Sequence, residues 1–307
     1  MHFHIFMQRD RTTVYNARLD TWKGNRMDFV RKISDEGKGL EVVQKDEVLY
    51  LTFPALSKIE GITHLFTTRL GGVSEGIFDS MNLSYTRGDK KESVDENYRR
   101  IAAMLGCSPA DIVCSDQTHT TNIRKVTAAD KGKGVIRERD YTDIDGLVTN
   151  EPGIALATFY ADCVPLYFAD PVKKVIGLAH SGWRGTVGRI GAEMIKKMEQ
   201  EYGCDRKDIV VAIGPSICKD CYEVSEDVAE QFEAEFGSKV LEPGKAEGKY
   251  QLDLWKANEM VFLQAGIWPE HISVTDICTC CNHKLLFSHR ASKGQRGNLG
   301  AFLMLNK

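Results

Sequence analysis

Two closely spaced apolar segments, Gly153 to Tyr160 and Val175 to Ala179, constrain the fold of this chain more than any other feature of the sequence. Near-continuous apolar runs of this kind are typical of strands that are covered on both faces. Cys163 follows the first segment, and His180 follows the second. Because α/β proteins place their chemistry at strand ends, we expect both side chains to belong to one functional site.

His119, in the upstream sequence Asp116-Gln117-Thr118-His119, is a third candidate for this site. A single histidine beside a strand is more often structural than a ligand, so this prediction depends on its neighbours. We interpret His119, Cys163 and His180 as one metal-binding trio, because a thiolate and two imidazoles suit zinc and also copper. Three protein ligands leave one position of a tetrahedral zinc ion open for catalysis. The alternative is a nucleophilic Cys163 paired with His180 or His119, as in a thiol hydrolase.

The segment after His180 predicts an anion site. The downstream apolar residues follow helical spacing: Val187, Ile190, Met194 and Met198. This pattern places Ser181 to Thr186 at the N-terminus of that helix, where free backbone N–H groups and Arg184 favour a phosphate or a carboxylate. The alternative is that Trp183 and Arg184 only pack against the helix and cap it.

Composition limits the classes of partner. The 307 residues are 42% hydrophobic and 27% charged, which is enough for a substantial buried core. The net charge of −3 provides none of the basic surplus typical of proteins that bind nucleic acid or anionic membranes. We therefore expect small-molecule partners, without nucleic acid or a membrane.

The N-terminus and the cysteine content favour a cytoplasmic protein. Residues 1–7 are too short and interrupted for a signal-peptide core, and no run approaches about 18 apolar residues. Nine cysteines, an odd number, are better explained as reduced thiols, metal ligands or a nucleophile than as a disulfide framework.

Strand and helix patterns recur along most of the chain. Val48 to Phe53 and His64 to Arg69 predict strands, and Ser93 to Leu105 predicts a helix. We expect an α+β (mixed α/β) fold of layered mixed β-sheets flanked by helices, as a single compact domain over residues 46–307. Residues 1–45 are polar and charge-mixed with little periodicity, which predicts a weakly structured N-terminal arm.

A second group of cysteines lies in the C-terminal half. Cys218 and Cys221 form a C-x-x-C pair, a pattern of redox and zinc sites. The residues Cys278, Cys280, Cys281 and His283 cluster further along the chain. Two of them together with the first pair would form a tetrahedral structural zinc site. Ordinary reduced thiols are the alternative.

Several motifs occur in order between about residues 48 and 305. They are Phe66-Thr-Thr-Arg69 with Gly71-Gly72-Val-Ser74, Met81-Asn82-Leu83, Gln117-Thr-His119, Asp145-Gly146-Leu-Val-Thr149, Ala161-Asp162-Cys163-Val-Pro165, His180-Ser-Gly182-Trp183-Arg184-Gly185, Ile213-Gly214-Pro215-Ser-Ile217, Tyr222-Glu223-Val224, Cys278-Thr279 and Phe287-Ser288-His289-Arg290. In this combination the chain resembles the laccase-domain family, also called multicopper polyphenol oxidoreductases, whose members are described as purine nucleoside phosphorylases with adenosine deaminase activity.

The resemblance implies a zinc enzyme of nucleoside metabolism. It implies phosphorolysis of adenosine, inosine or methylthioadenosine to free base and ribose 1-phosphate, together with deamination of adenosine. It assigns one zinc ion per chain to His119, Cys163 and His180, with copper as a substitute. Purine nucleosides and phosphate are therefore the expected partners, whereas the sequence does not predict an oligomeric state.

Further residues are predicted to complete the site. Asp162 is expected to assist proton transfer or to orient a histidine, although a structural turn is an equal alternative. Arg184 is expected to hold an anion or the substrate. The residues predicted to bind substrate are Arg69, Asn82, Gly182, Trp183, Gly185 and Arg290. His289 stands where tyrosine is common in the family.

Three other functions remain open from the sequence. The first is the cysteine-dependent hydrolase described above. The second is a copper phenol oxidase, although eight histidines in the whole chain are few for a multicopper relay. The third is a module without enzymatic activity that holds zinc or binds another protein.

Overall fold

Two β-sheets that pack face to face form the centre of the molecule. The computed structural model describes residues 13–15, 28–32 and 39–307. In chain order the strands are β1 (Thr13–Tyr15), β2 (Glu41–Lys45), β3 (Val48–Thr52), β4 (Ile62–Thr67), β5 (Ile112–Cys114), β6 (Ile123–Lys125), β7 (Gly146–Thr149), β8 (Ala155–Tyr160), β9 (Val164–Asp170), β10 (Val175–Ser181), β11 (Val210–Ile213), β12 (Glu223–Ser225), β13 (Leu241–Pro243), β14 (Lys249–Leu252), β15 (Ile272–Val274) and β16 (Leu299–Leu305).

The two central sheets mix parallel and antiparallel pairs. The first has the order β1-β2-β3-β4-β16-β8-β5, and the second has the order β15-β11-β9-β10-β7-β6. Parallel pairing occurs at β5–β8, β6–β7 and β11–β15. A small third sheet has the order β12-β14-β13.

Helices cover the outer faces of both central sheets. The helices are α1 (Pro54–Ser57), α2 (Lys91–Leu105), α3 (Trp183–Val187), α4 (Ile190–Tyr202), α5 (Glu226–Phe236), α6 (Leu254–Gln264) and α7 (His289–Ser292). Helix α2 packs on the first sheet, and α4 and α6 pack on the second. The predicted mixed α/β fold, with layered mixed sheets in a single compact domain, is confirmed.

Side-chain alternation along the strands produces the layers. In β9, Tyr167 and Ala169 belong to the apolar cluster between the two sheets, whereas Leu166 and Phe168 belong to the cluster under the helices. Successive strand residues point to opposite faces, so a strand buried on both faces must be apolar throughout. The apolar run that ends at Tyr160 forms β8 for this reason, as predicted.

The segment after His180 differs from the prediction. The chain forms the short helix α3, passes through Gly188 and Arg189, and only then begins α4 at Ile190. Arg189 has a left-handed backbone conformation (φ 59°, ψ 41°), which interrupts regular helical hydrogen bonding. The prediction that residues 181–186 form the N-terminus of the long helix is therefore wrong, because apolar spacing does not detect this break.

Part of the predicted N-terminal arm contacts the main body. Strand β2 pairs with β3 over Glu41–Lys45. Arg31 forms a bridge with Ile277 and an ion pair with Asp276. Much of residues 1–45 lies outside the described ranges, so the extent of the arm and its boundary at residue 46 remain predictions. In the part of the chain that the structure describes, no helix is long and apolar enough to cross a membrane.

A candidate metal centre between the two sheets

Both loops that carry His119 and Cys163 cross from the first central sheet to the second. His119 lies between β5 of the first sheet and β6 of the second, and Cys163 lies between β8 and β9 in the same way. His180 lies in β10, where it pairs with Pro165 of β9. The two crossovers and this ladder bring together three residues that are distant in sequence.

The predicted trio converges to metal-binding distances. One ligand atom each from His119, Cys163 and His180 lies within 4.8 Å of the other two. Sγ of Cys163 is 3.9 Å from Nε2 of His119, and the two imidazole rings are nearly perpendicular with centroids 4.9 Å apart. His180 is buried, Cys163 is half-buried and His119 is exposed. The cluster therefore has one side open to solvent.

Asp145, to which the sequence analysis gave no role, orients both histidines. Its Oδ1 accepts a hydrogen bond from Nδ1 of His180 over 2.7 Å, which leaves Nε2 of that ring for the site. Its two carboxylate oxygens also accept backbone N–H groups from Thr118, His119 and Thr120. His119 has a positive φ of 69°, and such backbone strain persists only where the surroundings fix it.

The charges of the site favour a thiolate. Burial would raise the pKa of the Cys163 thiol, but His180 and His119 outweigh burial and lower this pKa to about 6. Burial would likewise lower the pKa of His180, yet Cys163 and Asp145 raise it above its ordinary value. A thiolate is the form in which cysteine binds a metal or attacks an electrophile.

Gly182 leaves the space that the trio occupies. A Cβ atom at this position would lie 2.7 Å from Cδ2 of His119 and 3.3 Å from Sγ of Cys163. Real Cβ contacts are essentially never as short as the first distance. A side chain at residue 182 would therefore displace His119 from the cluster.

The trio opens into a pocket of about 1010 Å³, which is at the upper end of the range for small-molecule sites. Tyr85, Val135, Ile136 and Phe159 supply aromatic and apolar surface in its lining. Such a surface is suited to packing against a flat heterocyclic ring.

Arginine side chains contribute positive charge to the lining of the same pocket. Arg87 and Arg296 line it, and the Arg296 guanidinium donates to the Gly297 carbonyl oxygen and to Oδ1 of Asn298. Burial and the nearby charge of Arg87 lower the pKa of Arg296 to about 10. Guanidinium groups present several donors to an anion, and the lining also contains the carboxylates of Asp89, Asp116 and Glu138. Sequence reasoning missed both residues, because only the fold places them together.

Asp162, which precedes Cys163 in the chain, contacts Arg290. Asp162 is buried, and its two oxygens accept hydrogen bonds from the Thr279 hydroxyl and the Arg290 backbone N–H, both over 2.7 Å. The Arg290 guanidinium donates to the carbonyl oxygens of Cys221 and Glu223. The carboxylate that contacts the histidines is thus that of Asp145, and the catalytic role of Asp162 remains a prediction.

Four further predicted residues do not line the pocket: Arg69, Trp183, Arg184 and Gly185. Arg184 is exposed, and its guanidinium stacks on Trp183 at 4.3 Å from the ring centroid. Gly185 is buried within α3. Arg69 donates to the carbonyl oxygens of Asp79 and His283. Their predicted roles in binding remain predictions.

Asn82 holds two residues of the pocket lining in place through hydrogen bonds. Its side chain is buried, and its Oδ1 accepts the backbone N–H groups of Ser84 and Asn298, both of which line the pocket. It therefore supports the pocket wall, and direct contact with a substrate remains a prediction.

Comparisons with known proteins agree with this arrangement. Residues 63–306 match the family model described as multi-copper polyphenol oxidoreductase laccase. The purine nucleoside phosphorylase YlmD of Bacillus subtilis is 40% identical over 243 residues, which cover 78% of this chain and 86% of that protein. The purine nucleoside phosphorylase of Bacteroides thetaiotaomicron is 35% identical over 268 residues, which cover 86% of this chain and 99% of that protein.

Solved structures with the same fold are also similar in sequence. The crystal structure of YlmD from Geobacillus stearothermophilus superposes with a TM-score of 0.78 at 35% identity, covering 91% of this chain and 100% of that one. The hypothetical protein YfiH from Bacillus licheniformis superposes with a TM-score of 0.79 at 33% identity, covering 88% of this chain and 98% of that one.

Proposed function

Because this chain belongs to the multi-copper polyphenol oxidoreductase laccase family, we propose that it is a zinc-dependent purine nucleoside phosphorylase that also deaminates adenosine. Relatives named purine nucleoside phosphorylase support an enzyme of this general type. The observation that carries the proposal is the convergence of His119, Cys163 and His180 beside a pocket whose lining includes Arg87 and Arg296.

The donor set fits a zinc ion. One cysteine sulfur and two imidazole nitrogens are common zinc ligands, and three protein ligands are the number found in catalytic zinc sites. Asp145 holds His180 in the orientation that a metal-binding histidine requires. When bound by these residues, the ion would act as a Lewis acid. Two histidines and a cysteine also suit copper, so the metal content of the purified protein has to be measured.

Different residues of the pocket would bind the phosphate and the purine. Arg87 and Arg296 hold phosphate by charge-assisted hydrogen bonds, while Phe159 and Ile136 contact the purine. In phosphorolysis a phosphate oxygen bonds to C1′ of the ribose, the bond from C1′ to the purine nitrogen breaks, and the released base takes up a proton. Deamination replaces the 6-amino group of adenosine with oxygen from water and releases ammonia.

One observation favours a thiol hydrolase as the second candidate. The site contains a series of three residues. Cys163, whose thiol has a lowered pKa, lies beside His180, and the Asp145 carboxylate orients that histidine. This series gives no role to His119. A hydrolase of this type would keep its activity without metal, and iodoacetamide would alkylate Cys163 and inactivate the protein.

Product analysis with adenosine and phosphate tests the proposal. We expect the wild-type protein to form adenine, ribose 1-phosphate and inosine, and we expect Cys163→Ala to form none of them. Cys107→Ser is the matched control, because Cys107 is a half-buried thiol outside the pocket lining. The absence of all three products with the folded, zinc-loaded wild-type protein would contradict the proposed function.

A further inference from the structure

Four cysteines outside the pocket form a second cluster. The Sγ atoms of Cys218, Cys221, Cys278 and Cys281 all lie within 4.8 Å of one another. The sulfurs of Cys221 and Cys281 are 3.5 Å apart. Four sulfurs at about 2.3 Å from a tetrahedral zinc ion would be separated by roughly 3.8 Å, whereas bonded disulfide sulfurs are only about 2.05 Å apart. The observed spacing matches a tetrahedral ligand set.

Adjacent parallel strands bring the two halves of this cluster together. The first pair follows β11 and the second follows β15, and these strands pair with Ile213 opposite Val274. The pairing continues beyond the strands through a bridge between Ser216 and Cys278. Each half has the spacing C-x-x-C, and the backbone N–H of Cys221 donates to the carbonyl of Cys218, which closes a tight turn in the first half.

Backbone N–H groups and one ammonium group lie close to these sulfurs. The backbone N–H groups of Cys218 and Cys281 donate to Sγ of Cys278 at 3.2 and 3.4 Å. The ammonium group of Lys32 donates to Asp220 over 3.0 Å, and its charge also interacts with the sulfurs of Cys218 and Cys281. Four thiolates around a divalent cation carry a net charge of about −2, which such donors and cations stabilise.

We propose that Cys218, Cys221, Cys278 and Cys281 bind one structural zinc ion. Four protein ligands leave no open position, so the site is structural rather than catalytic. A redox pair would use only Cys221 and Cys281 and would leave the almost fully buried Cys218 and Cys278 without a function. The convergence of all four sulfurs distinguishes a metal site from such a pair.

This zinc ion would stabilise the segment that carries Cys163. The backbone N–H of Ile217, next to Cys218, donates to the Asp162 carbonyl at 3.0 Å. The hydroxyl of Thr279, next to Cys278, donates to the Asp162 carboxylate at 2.7 Å. Both halves of the four-cysteine cluster therefore hold Asp162, the residue before Cys163.

Zinc analysis of the Cys163→Ala protein tests this proposal separately from the proposed function. Full-length variants are purified, freed of loosely bound metal and analysed by mass spectrometry for metal content. We expect about one tightly bound zinc ion in Cys163→Ala and none in Cys163→Ala combined with Cys218→Ser and Cys278→Ser. Cys280→Ser in the Cys163→Ala background is the matched control, and we expect it to keep its zinc.

Cobalt substitution of the Cys163→Ala protein provides a readout that does not require the multiple variant to fold. We expect intense sulfur-to-cobalt charge-transfer bands and the visible bands of a tetrahedral four-thiolate site. Folded Cys163→Ala protein without bound zinc, or with a disulfide between Cys221 and Cys281, would overturn the proposal. Iron bound in place of zinc would overturn the choice of metal. None of these results depends on nucleoside turnover.

Discussion

Asp145 accepts a hydrogen bond from Nδ1 of His180 over 2.7 Å and accepts the backbone N–H of His119 through the same oxygen. One buried carboxylate therefore positions two of the three proposed ligands. Its place follows from strand pairing, because Gly146 of β7 lies opposite Ala179 of β10, and the backbone N–H of His180 donates to the Asp145 carbonyl.

Asp145→Asn tests this positioning role. The substitution removes the charge that orients the imidazole, and changes in such supporting residues typically lower metal affinity or activity by about 10–100-fold. We expect a decrease of this size in zinc affinity at the pocket, measured by competition with a chelating dye. Asp143→Asn is the control, because this neighbouring exposed carboxylate contacts neither histidine. Unchanged zinc affinity in Asp145→Asn would argue against the role.

Gly182→Ala tests the packing of the trio. The added methyl group would lie 2.7 Å from the His119 ring, so the ring must shift from its position in the trio. We expect turnover and pocket zinc to decrease together, while circular dichroism shows a folded protein. Gly188→Ala is the comparison, because its methyl group would meet the Thr121 side chain instead. Equal zinc content and turnover in Gly182→Ala and wild type would contradict this account.

Arg87→Ala and Arg296→Ala test the location of the phosphate site. Loss of one charge-assisted contact is worth roughly 1.5–3 kcal/mol, so we expect the KM for phosphate to rise about 10-fold or more. The KM for the nucleoside should change less. Arg184→Ala tests the sequence-based prediction in the same assay, and that prediction fails if its phosphorolysis is unchanged at every phosphate concentration.

We predict that the Asp130 carboxylate, near the pocket wall, makes a pH-dependent contribution to the free energy of unfolding. Burial would raise the pKa of this carboxyl group, but hydrogen bonds from Lys133 and Arg124 lower it to about 2. The ionised Asp130 carboxylate therefore stabilises the fold fully at pH values above its unfolded-state pKa of about 4. This stabilisation is lost as the pH falls towards 2. We expect Asp130→Asn to lower the free energy of unfolding by about 1–2 kcal/mol at pH 7.

The difference in the free energy of unfolding between Asp130→Asn and wild type should decrease as the pH approaches 2. Urea denaturation over a pH series measures it. Lys133 precedes Gly134 to Arg139, which line the pocket, so we also expect a higher KM for the nucleoside. A stability difference that is the same at pH 7 and near pH 2 would contradict the assignment.

The layered fold could be predicted from sequence because it depends on local patterns, whereas the trio also required the resemblance carried by motifs that are distant in the chain. Apolar runs identified β8 and β10; Cys163 lies in the loop after β8, and His180 is the penultimate residue of β10. The role of Asp145 could not be predicted, since it depends on the register between β7 and β10. The break at Arg189 was missed because a left-handed residue leaves the apolar spacing of the helix unchanged.

The four-cysteine cluster shows the same limit. Both C-x-x-C spacings are visible in the sequence, but the choice among Cys278, Cys280, Cys281 and His283 depends on how the turn after β15 projects each side chain. The pairing of Arg87 with Arg296 likewise requires the tertiary structure, since the two loops are far apart in the chain.

Metal reconstitution tests the central claim most directly. The rate of ribose 1-phosphate formation from inosine and phosphate is measured for metal-free protein before and after zinc is added, with circular dichroism to verify folding. We expect no product from metal-free protein, recovery with zinc in the wild type, and no recovery in His119→Ala. Formation of ribose 1-phosphate at the full rate by folded, metal-free protein would contradict the account.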